Sequence, residues 1–511
     1  MTRSYSVDNP TGRITHTTSE LSIPQLHSST LAYLHARYPT QGEEPTVTTR
    51  ILLVPGGTSI GAVALAHAGI HKIVELHRER DAAQPHTVLT IRDPADVPAS
   101  TLRTAALSPR EAFPADRFPQ LDAHIDDPAL FDGVDLVLPT SGSTGTPRWV
   151  GLSIEALLHS AHATHQALAG PGRWVLALPT HHVAGAMVLL RAVAAGCAPL
   201  IVDTTGGFSP SALLPAIRGA TGDPAVPGYI SLVPTQLRAC MTSDEAVAAL
   251  GRMAAVLVGG AACPDALADE ATARGIRVVR TYGMTETCGG CVYDGYPLPG
   301  TTLGEVTSLS ALTIADRTKQ TRTAHPHMPA PAGKDTTTIS QTRAGRLSIS
   351  GPMVLTRYLD EGGAADRRTQ AFVTHDTGVF GADGRLTVTG RTDDVIVSGG
   401  LNISPRPVHD TLSAVPHVAQ CAVLGSADDQ WGQVVTAVVV LHQPFDGVDA
   451  AVWGPRLRDA VAQQLGAKVA PRRFLFVEHL PVLTLGKVDR LWVRRLVDDT
   501  SVAAQVKEWR R

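Results

Sequence analysis

Short apolar runs alternate with stretches of helical periodicity from about residue 51 to about residue 280. Ile51-Leu52-Leu53-Val54, closed by Pro55-Gly56-Gly57-Thr58, reads as a buried strand ending in a turn, and a helical pattern runs from Ile60 to about Arg80. Val88-Leu89-Thr90-Ile91 repeats the strand signal, and further strands are predicted at 134–138, 174–178, 199–202, 229–233, 255–258 and 278–281. Residues 154–169 and 186–195 carry the helical period between them. This alternation implies parallel-type sheets with flanking helices. Residues 1 to about 45 are polar without period and read as a poorly anchored lead-in; 307–343, rich in Thr, Ser, His, Ala and Pro, read as a surface insertion. Near 390–405 the texture changes, and strands at 421–424 and 434–441 with a helix at 453–465 predict a small α+β unit.

Composition narrows the class. The chain has 511 residues, 43% hydrophobic and 18% charged, enough apolar side chain for large cores and too much for a mainly disordered chain. A net charge of −3 and 5% aromatics leave neither an electrostatic footprint nor stacking platforms for nucleic acid. The longest apolar stretch, 186–202, is interrupted by Arg191, so no membrane span is expected, and the first residues lack the apolar segment of a secretory signal. Six cysteines are too few for a disulfide framework, which favours a reduced, cytoplasmic protein. Cys288 and Cys291 form one C-x-x-C with no second pair nearby; packing beside a loop is the simpler reading than a metal or redox site.

Four segments carry candidate chemistry. Ser141-Gly142-Ser143-Thr144-Gly145, after a predicted strand and before a helix starting near Ser153, offers backbone N–H groups and hydroxyls to phosphate, although the Walker A spacing is absent. Thr281-Tyr282-Gly283-Met284-Thr285-Glu286, again at a strand end, pairs a hydroxyl with a carboxylate able to ligate Mg²⁺. Asp376, read as a loop residue, and Arg391 could hold ribose hydroxyls. Lys487, after Gly486, is a point charge suited to a developing phosphate–carboxylate charge. Each alone is equally an ordinary turn or surface group.

Taken in order along the chain, the four resemble the adenylate-forming superfamily, which includes acyl-CoA ligases and peptide-synthetase adenylation domains. The resemblance spans roughly 134–490. It implies a large N-terminal domain over 1–392, a small mobile α+β lid over 393–511 and a hinge at Asp393. It also implies two half-reactions: a carboxylic acid and ATP give an acyl-adenylate and pyrophosphate, and CoA then displaces AMP. On that basis the Ser141–Gly145 loop matches the phosphate loop, Tyr282 the aromatic against adenine, Gly283 its neighbour, and Thr285 the α-phosphate contact. Glu286 matches the Mg²⁺ ligand, Asp376 and Arg391 the ribose contacts, and Lys487 the catalytic lysine of adenylation. Gly399 and Gly400 match the lid loop of the CoA tunnel, and Gly259 and Gly260 the wall of the acyl pocket. One departure stands out: the loop continues Gly145-Thr146-Pro147-Arg148 where the pattern has a first lysine.

Two residues bear on the acid. His182, in Leu178-Pro179-Thr180-His181-His182, matches the gate beside the acyl pocket. Arg191, following Met187-Val188-Leu189-Leu190, either snorkels to water or clamps a second substrate carboxylate. With the segment from Tyr282 to Gly295, this pair resembles the o-succinylbenzoate–CoA ligases of menaquinone synthesis, in their actinobacterial form. Ligases for another aryl or fatty acid, an amino-acid adenylating enzyme and a non-catalytic nucleotide binder remain the alternatives.

Overall fold

A computed structural model describes residues 49–79, 85–97, 106–140, 147–306, 345–362, 371–482, 487–503 and 505–511. The polar lead-in, the insertion expected at 307–343 and the expected phosphate-loop residues Ser141, Gly142, Ser143, Thr144 and Gly145 lie outside them. Glu44–Arg511 form one compact unit.

Four sheets organise the described residues. In the first, Arg50–Pro55, Thr87–Arg92 and Leu136–Pro139 run parallel, followed by Trp149–Leu152 antiparallel and then Arg357–Tyr358. The second has seven strands, with Val278–Met284, Ala255–Val258, Gly228–Leu232, Arg173–Leu176 and Leu200–Ile201 parallel, and Gly289–Tyr293 turning back antiparallel. Between these sheets lie the helices Ile60–Arg78, Ile154–Ala167 and Val183–Ala194, and one core joins Leu89, Ile91 and Leu138 of the first sheet to Trp174, Leu176 and Leu257 of the second. The alternate residues Val175, Ile230 and Val256 face a separate core under the outer helices. Burial on both faces is why these strands appear in the sequence as continuous apolar runs without alternation.

Local sequence explains the helix boundaries. Ser59 caps Ile60–Arg78, its Oγ accepting from the Ala62 N–H, and Ala62, Val63, Ala66, Ile70, Ile73 and Val74 make its buried stripe. Ser153 caps Ile154–Ala167 in the same way. The helix Val183–Ala194 is buried from Gly185 to Ala192, and it approaches the preceding chain so closely that a Cβ on Gly185 would lie 2.2 Å from the Pro179 carbonyl oxygen.

The structure corrects several expectations. The helix expected near Ser153 begins at Ile154, but Trp149–Leu152 precedes it as an antiparallel strand that was not expected. A third, wholly antiparallel sheet of Thr302–Val306, Arg346–Ser350, Phe372–Phe380 and Leu386–Arg391 adds to the parallel-type sheets expected. Asp376 lies within the strand Phe372–Phe380 and not in a loop, and Val278–Met284 extends past Thr281, so Tyr282 and Gly283 are strand residues. The fourth sheet, Leu401–Ile403, Ile396–Ser398, Gly432–Leu441, Arg473–Phe476 and Lys507–Arg510, with Val418–Asp428 also on Gly432–Leu441, has its own core around Val435, Leu457 and Phe474.

Candidate active site

Strand register assembles the first part of the site. In the third sheet Asp376 stands directly opposite Arg391. The Asp376 carboxylate accepts from the Tyr282 hydroxyl at 2.7 Å and from the Arg391 guanidinium at 3.2 Å. Burial and the Asp376 charge push the Tyr282 phenol well above its ordinary range. Arg391 also donates to both carboxylate oxygens of Asp393, at 2.8 and 2.7 Å, and that fork keeps its guanidinium charged. The residue expected to be a hinge is therefore tied to an expected nucleotide contact. Asp394 beside it pairs with Arg490, from the segment carrying Lys487.

Lys487 is half-buried next to this cluster; burial, then the Arg391 charge, lower its ammonium pKa, while Asp376 opposes them. His182, the N-cap residue of Val183–Ala194, lies within electrostatic reach of Lys487. Burial, with His181 and Lys487, brings the His182 imidazole down to about 3, so it is neutral at physiological pH, and its Nε2 is buried without a hydrogen-bond partner. The neighbouring His181 ring is 4.4 Å from it and faces Asp93 at 3.6 Å. Gly56 makes room for this pair, because a Cβ there would lie 2.6 Å from His181 Cβ.

Glu286 follows the strand end at Met284, and burial raises its carboxyl above the ordinary range. Its Oε1 accepts from the Tyr358 hydroxyl at 2.9 Å, and the Arg148 guanidinium covers the Tyr358 ring at 3.4 Å while pairing with Asp360 and Glu361. Arg148 is thus committed to the Asp360–Glu361 turn. Thr285, buried beside Glu286, donates to the Pro139 carbonyl at 3.4 Å, at the threshold of the phosphate loop. Mg²⁺ usually takes one or two carboxylates plus substrate phosphates and water. Glu286, a carboxylate following Thr285 at this strand end, fits that ligand set.

A separate pocket of about 80 Å³ brings together Arg191, Gly259 and Gly260, the residues expected on the acyl side. Arg191, Met187, Gly259, Gly260, Gly283 and Tyr293 are among its lining residues, and Arg191 is the only charged side chain among those described there. Arg191 is 4% exposed, so it does not snorkel to bulk water, and its Nε is buried without a partner. Gly283 permits tight strand pairing at the pocket floor; a Cβ there would lie 2.0 Å from the Gly289 carbonyl oxygen. Cys288 and Cys291 are packed into the core behind the pocket, and burial raises both thiols, Cys291 to about 12.

Gly399 and Gly400 stand apart. They form the two-residue turn between Ile396–Ser398 and Leu401–Ile403, exposed and with φ of 54° and 80°, the positive pair that a tight hairpin requires. Trp431 lies under this turn, 2.5 Å from where a Gly399 Cβ would be.

The AMP-binding enzyme family matches residues 57–359, and the AMP-binding enzyme C-terminal domain matches 408–487. The chain belongs to the AMP-binding enzymes. Among relatives of this AMP-binding enzyme, a probable 2-succinylbenzoate–CoA ligase of Mycobacterium tuberculosis H37Rv is 39% identical over 362 residues, 70% of this chain and 83% of the relative. An indoleacetate–CoA ligase of Aromatoleum aromaticum is 30% identical over 375 residues, 71% of this chain and 67% of the relative. The o-succinylbenzoate CoA synthetase of Bacillus subtilis, solved with its acyl-adenylate intermediate, shares the fold, with a TM-score of 0.57 at 21% identity over 88% of each chain.

Sequence reasoning missed Tyr358, Trp174 and Asp93. Tyr358 meets Glu286 across 72 positions, and nothing local to either residue signals the contact.

Proposed function

We propose that this AMP-binding enzyme is an ATP-dependent o-succinylbenzoate–CoA ligase, converting o-succinylbenzoate, ATP and CoA into o-succinylbenzoyl-CoA, AMP and pyrophosphate. The observation that carries the acid assignment is Arg191: a buried, incompletely satisfied guanidinium on the wall of an otherwise uncharged pocket. A carboxylate is the ligand that best satisfies a planar fork of donors in a low-dielectric site. An acid with two carboxylates presents one to Arg191 and the other to the reaction. Similarity to succinylbenzoate–CoA ligases supports the same substrate.

In this reading Tyr282 lies against the base, Asp376 and Arg391 take the ribose, and Thr285 and the Ser141–Gly145 loop take the phosphates. Magnesium, when bound, neutralises phosphate charge; Glu286 is its ligand from the protein. Lys487 stabilises the charge that develops between the α-phosphate and the attacking carboxylate, and its proximity to Asp376 and Arg391 supports the adenylation arrangement of the lid. Neutral His182 gates the acyl pocket beside Lys487. Residues 393–511 form the lid, turning about Asp393 to bring Gly399 and Gly400 to the CoA path for the second half-reaction. The Asp393–Arg391 and Asp394–Arg490 pairs are the contacts that such a rotation would exchange.

The test is mass-spectrometric detection of o-succinylbenzoyl-CoA from purified enzyme with ATP, Mg²⁺, CoA and the free acid. Turnover of indoleacetate or a fatty acid with none of o-succinylbenzoate would replace this reading with that of another acyl-CoA ligase.

A further inference from the structure

Arg191 does not hold its own position by ion pairing, since no acidic side chain lines its pocket among the described residues. What holds it is aromatic. The guanidinium carbon lies 5.1 Å from the centroid of the Trp174 ring, and Trp174 is fully buried in the second sheet. Trp174 also meets Tyr229 at 4.9 Å, with the two rings tilted by 40°. The Tyr229 hydroxyl is locked at the end of the helix Ile154–Ala167, accepting from the Ala169 N–H at 3.1 Å and donating to the Gly170 carbonyl at 2.8 Å. The indole N–H of Trp174 donates to His165 Nε2 at 3.3 Å.

That last bond defines the protonation of His165. Nε2 accepts only when it carries no proton, so the imidazole is the neutral Nδ1–H form. Burial, and then the Arg191 charge, press it the same way, to about 4. An imidazolium here would turn its N–H against the indole N–H and set a second positive charge beside Arg191. Neutral His165 therefore fixes the indole plane without competing for the anion that Arg191 awaits.

The geometry points to Trp174 and His165 as positioning residues for acid selectivity: the Tyr229–Trp174 pair, oriented by His165, holds the Arg191 guanidinium against the pocket so that it meets a dicarboxylic acid already aligned. Trp174 supplies a face to the cation and no counter-charge, which leaves the positive charge for the substrate. A monocarboxylic acid gains nothing from this arrangement, because the cation in the pocket stays unpaired when it binds. This inference rests on the reading of Arg191 as a carboxylate clamp.

The experiment measures kcat and KM in pyrophosphate release for o-succinylbenzoate, for 3-benzoylpropionate (the same acid without its ring carboxylate) and for ATP. Trp174→Leu is expected to raise the KM for o-succinylbenzoate about tenfold, with the KM for ATP and for the monoacid within about twofold. Trp174→Phe, which keeps a face and loses the N–H, falls between. His165→Leu loses selectivity in the same direction, and His165→Gln, which keeps an acceptor, restores it. These two variants decide the matter if Trp174→Leu does not fold. Equal loss for both acids, or a raised KM for ATP, overturns the inference by making the aromatic pair merely structural. Arg191→Met separates the two levels. If it leaves the preference for the diacid intact, the clamp itself is wrong; if it abolishes the preference while the Trp174 and His165 variants keep it, only the positioning role is wrong.

Discussion

Replacing Arg191 by methionine should stabilise the free enzyme while crippling its use of a diacid. Methionine fills a similar volume with an apolar chain, so no sizeable cavity is left in the wall of the helix Val183–Ala194. The lost term in the free enzyme is the cation–π contact with Trp174 at 5.1 Å, worth about 0.5–2 kcal/mol. The relieved terms are larger. The buried Nε without a partner costs about 1–3 kcal/mol, and desolvating the cation still costs several more after relaxation. Substituting a buried charge with an apolar group of like size stabilises by about 1–4 kcal/mol in comparable cases, and a net gain of about 1–2 kcal/mol is expected here. The bound state reverses the sign. Losing one partner of a desolvated charge pair costs about 2–5 kcal/mol, a rise in KM for o-succinylbenzoate of roughly 30-fold to several-thousand-fold. Thermal denaturation of the apo enzyme and steady-state pyrophosphate release measure the two arms. A variant that melts lower and still prefers the diacid would refute the reasoning, because Arg191 would then be a satisfied structural residue.

Three further outcomes follow from the same geometry. Lys487→Ala should lower the rate of adenylation by about 10²–10³ with ATP binding largely kept, read by single-turnover formation of acyl-adenylate, and unchanged turnover would remove Lys487 from the mechanism. Glu286 has its folded-state pKa raised by burial. The native state then binds more protons than the unfolded chain between the ordinary and raised values, so apo stability falls as pH rises through that window. Glu286→Gln should flatten this slope in urea titrations without Mg²⁺ and weaken Mg²⁺-dependent activity; an unaltered slope would contradict the burial argument. Gly283→Ala, whose Cβ would meet the Gly289 carbonyl at 2.0 Å, should destabilise by about 1–3 kcal/mol, whereas Gly61→Ala, with open space at an exposed helical site, should stabilise by about 0.5–1 kcal/mol. Equal denaturation midpoints for the two would count against the packing described.

The parts of this fold legible in the sequence are those whose signal is local. The strand Ala255–Val258 falls at the expected residues because a four-residue apolar run buried on both faces needs no partner to declare itself. The helix Ile60–Arg78 announces its start through Ser59 and its face through spacing. Trp149–Leu152 was hidden because its strand character depends on pairing with Leu136–Pro139 across the phosphate loop. Asp376 looked like a loop residue because Thr, His, Asp and Gly favour turns; sheet pairing on both sides of its strand overrides that preference. For the site, motif order along the chain led to Tyr282, Glu286, Asp376, Arg391 and Lys487, and the fold brings these into one neighbourhood. Arg148 could be seen only as a departure from a pattern. Its partners Asp360 and Glu361 lie more than two hundred positions away, at separations of 212 and 213, which no local reading spans.

The central claim is that a buried guanidinium selects an acid with a second carboxylate. ATP–pyrophosphate exchange by the unmodified enzyme, run side by side with o-succinylbenzoate and 3-benzoylpropionate, tests it most directly. The account predicts a kcat/KM at least about 30-fold higher for the diacid, the lower end of what a desolvated charge pair contributes. Equal exchange with both acids would contradict it.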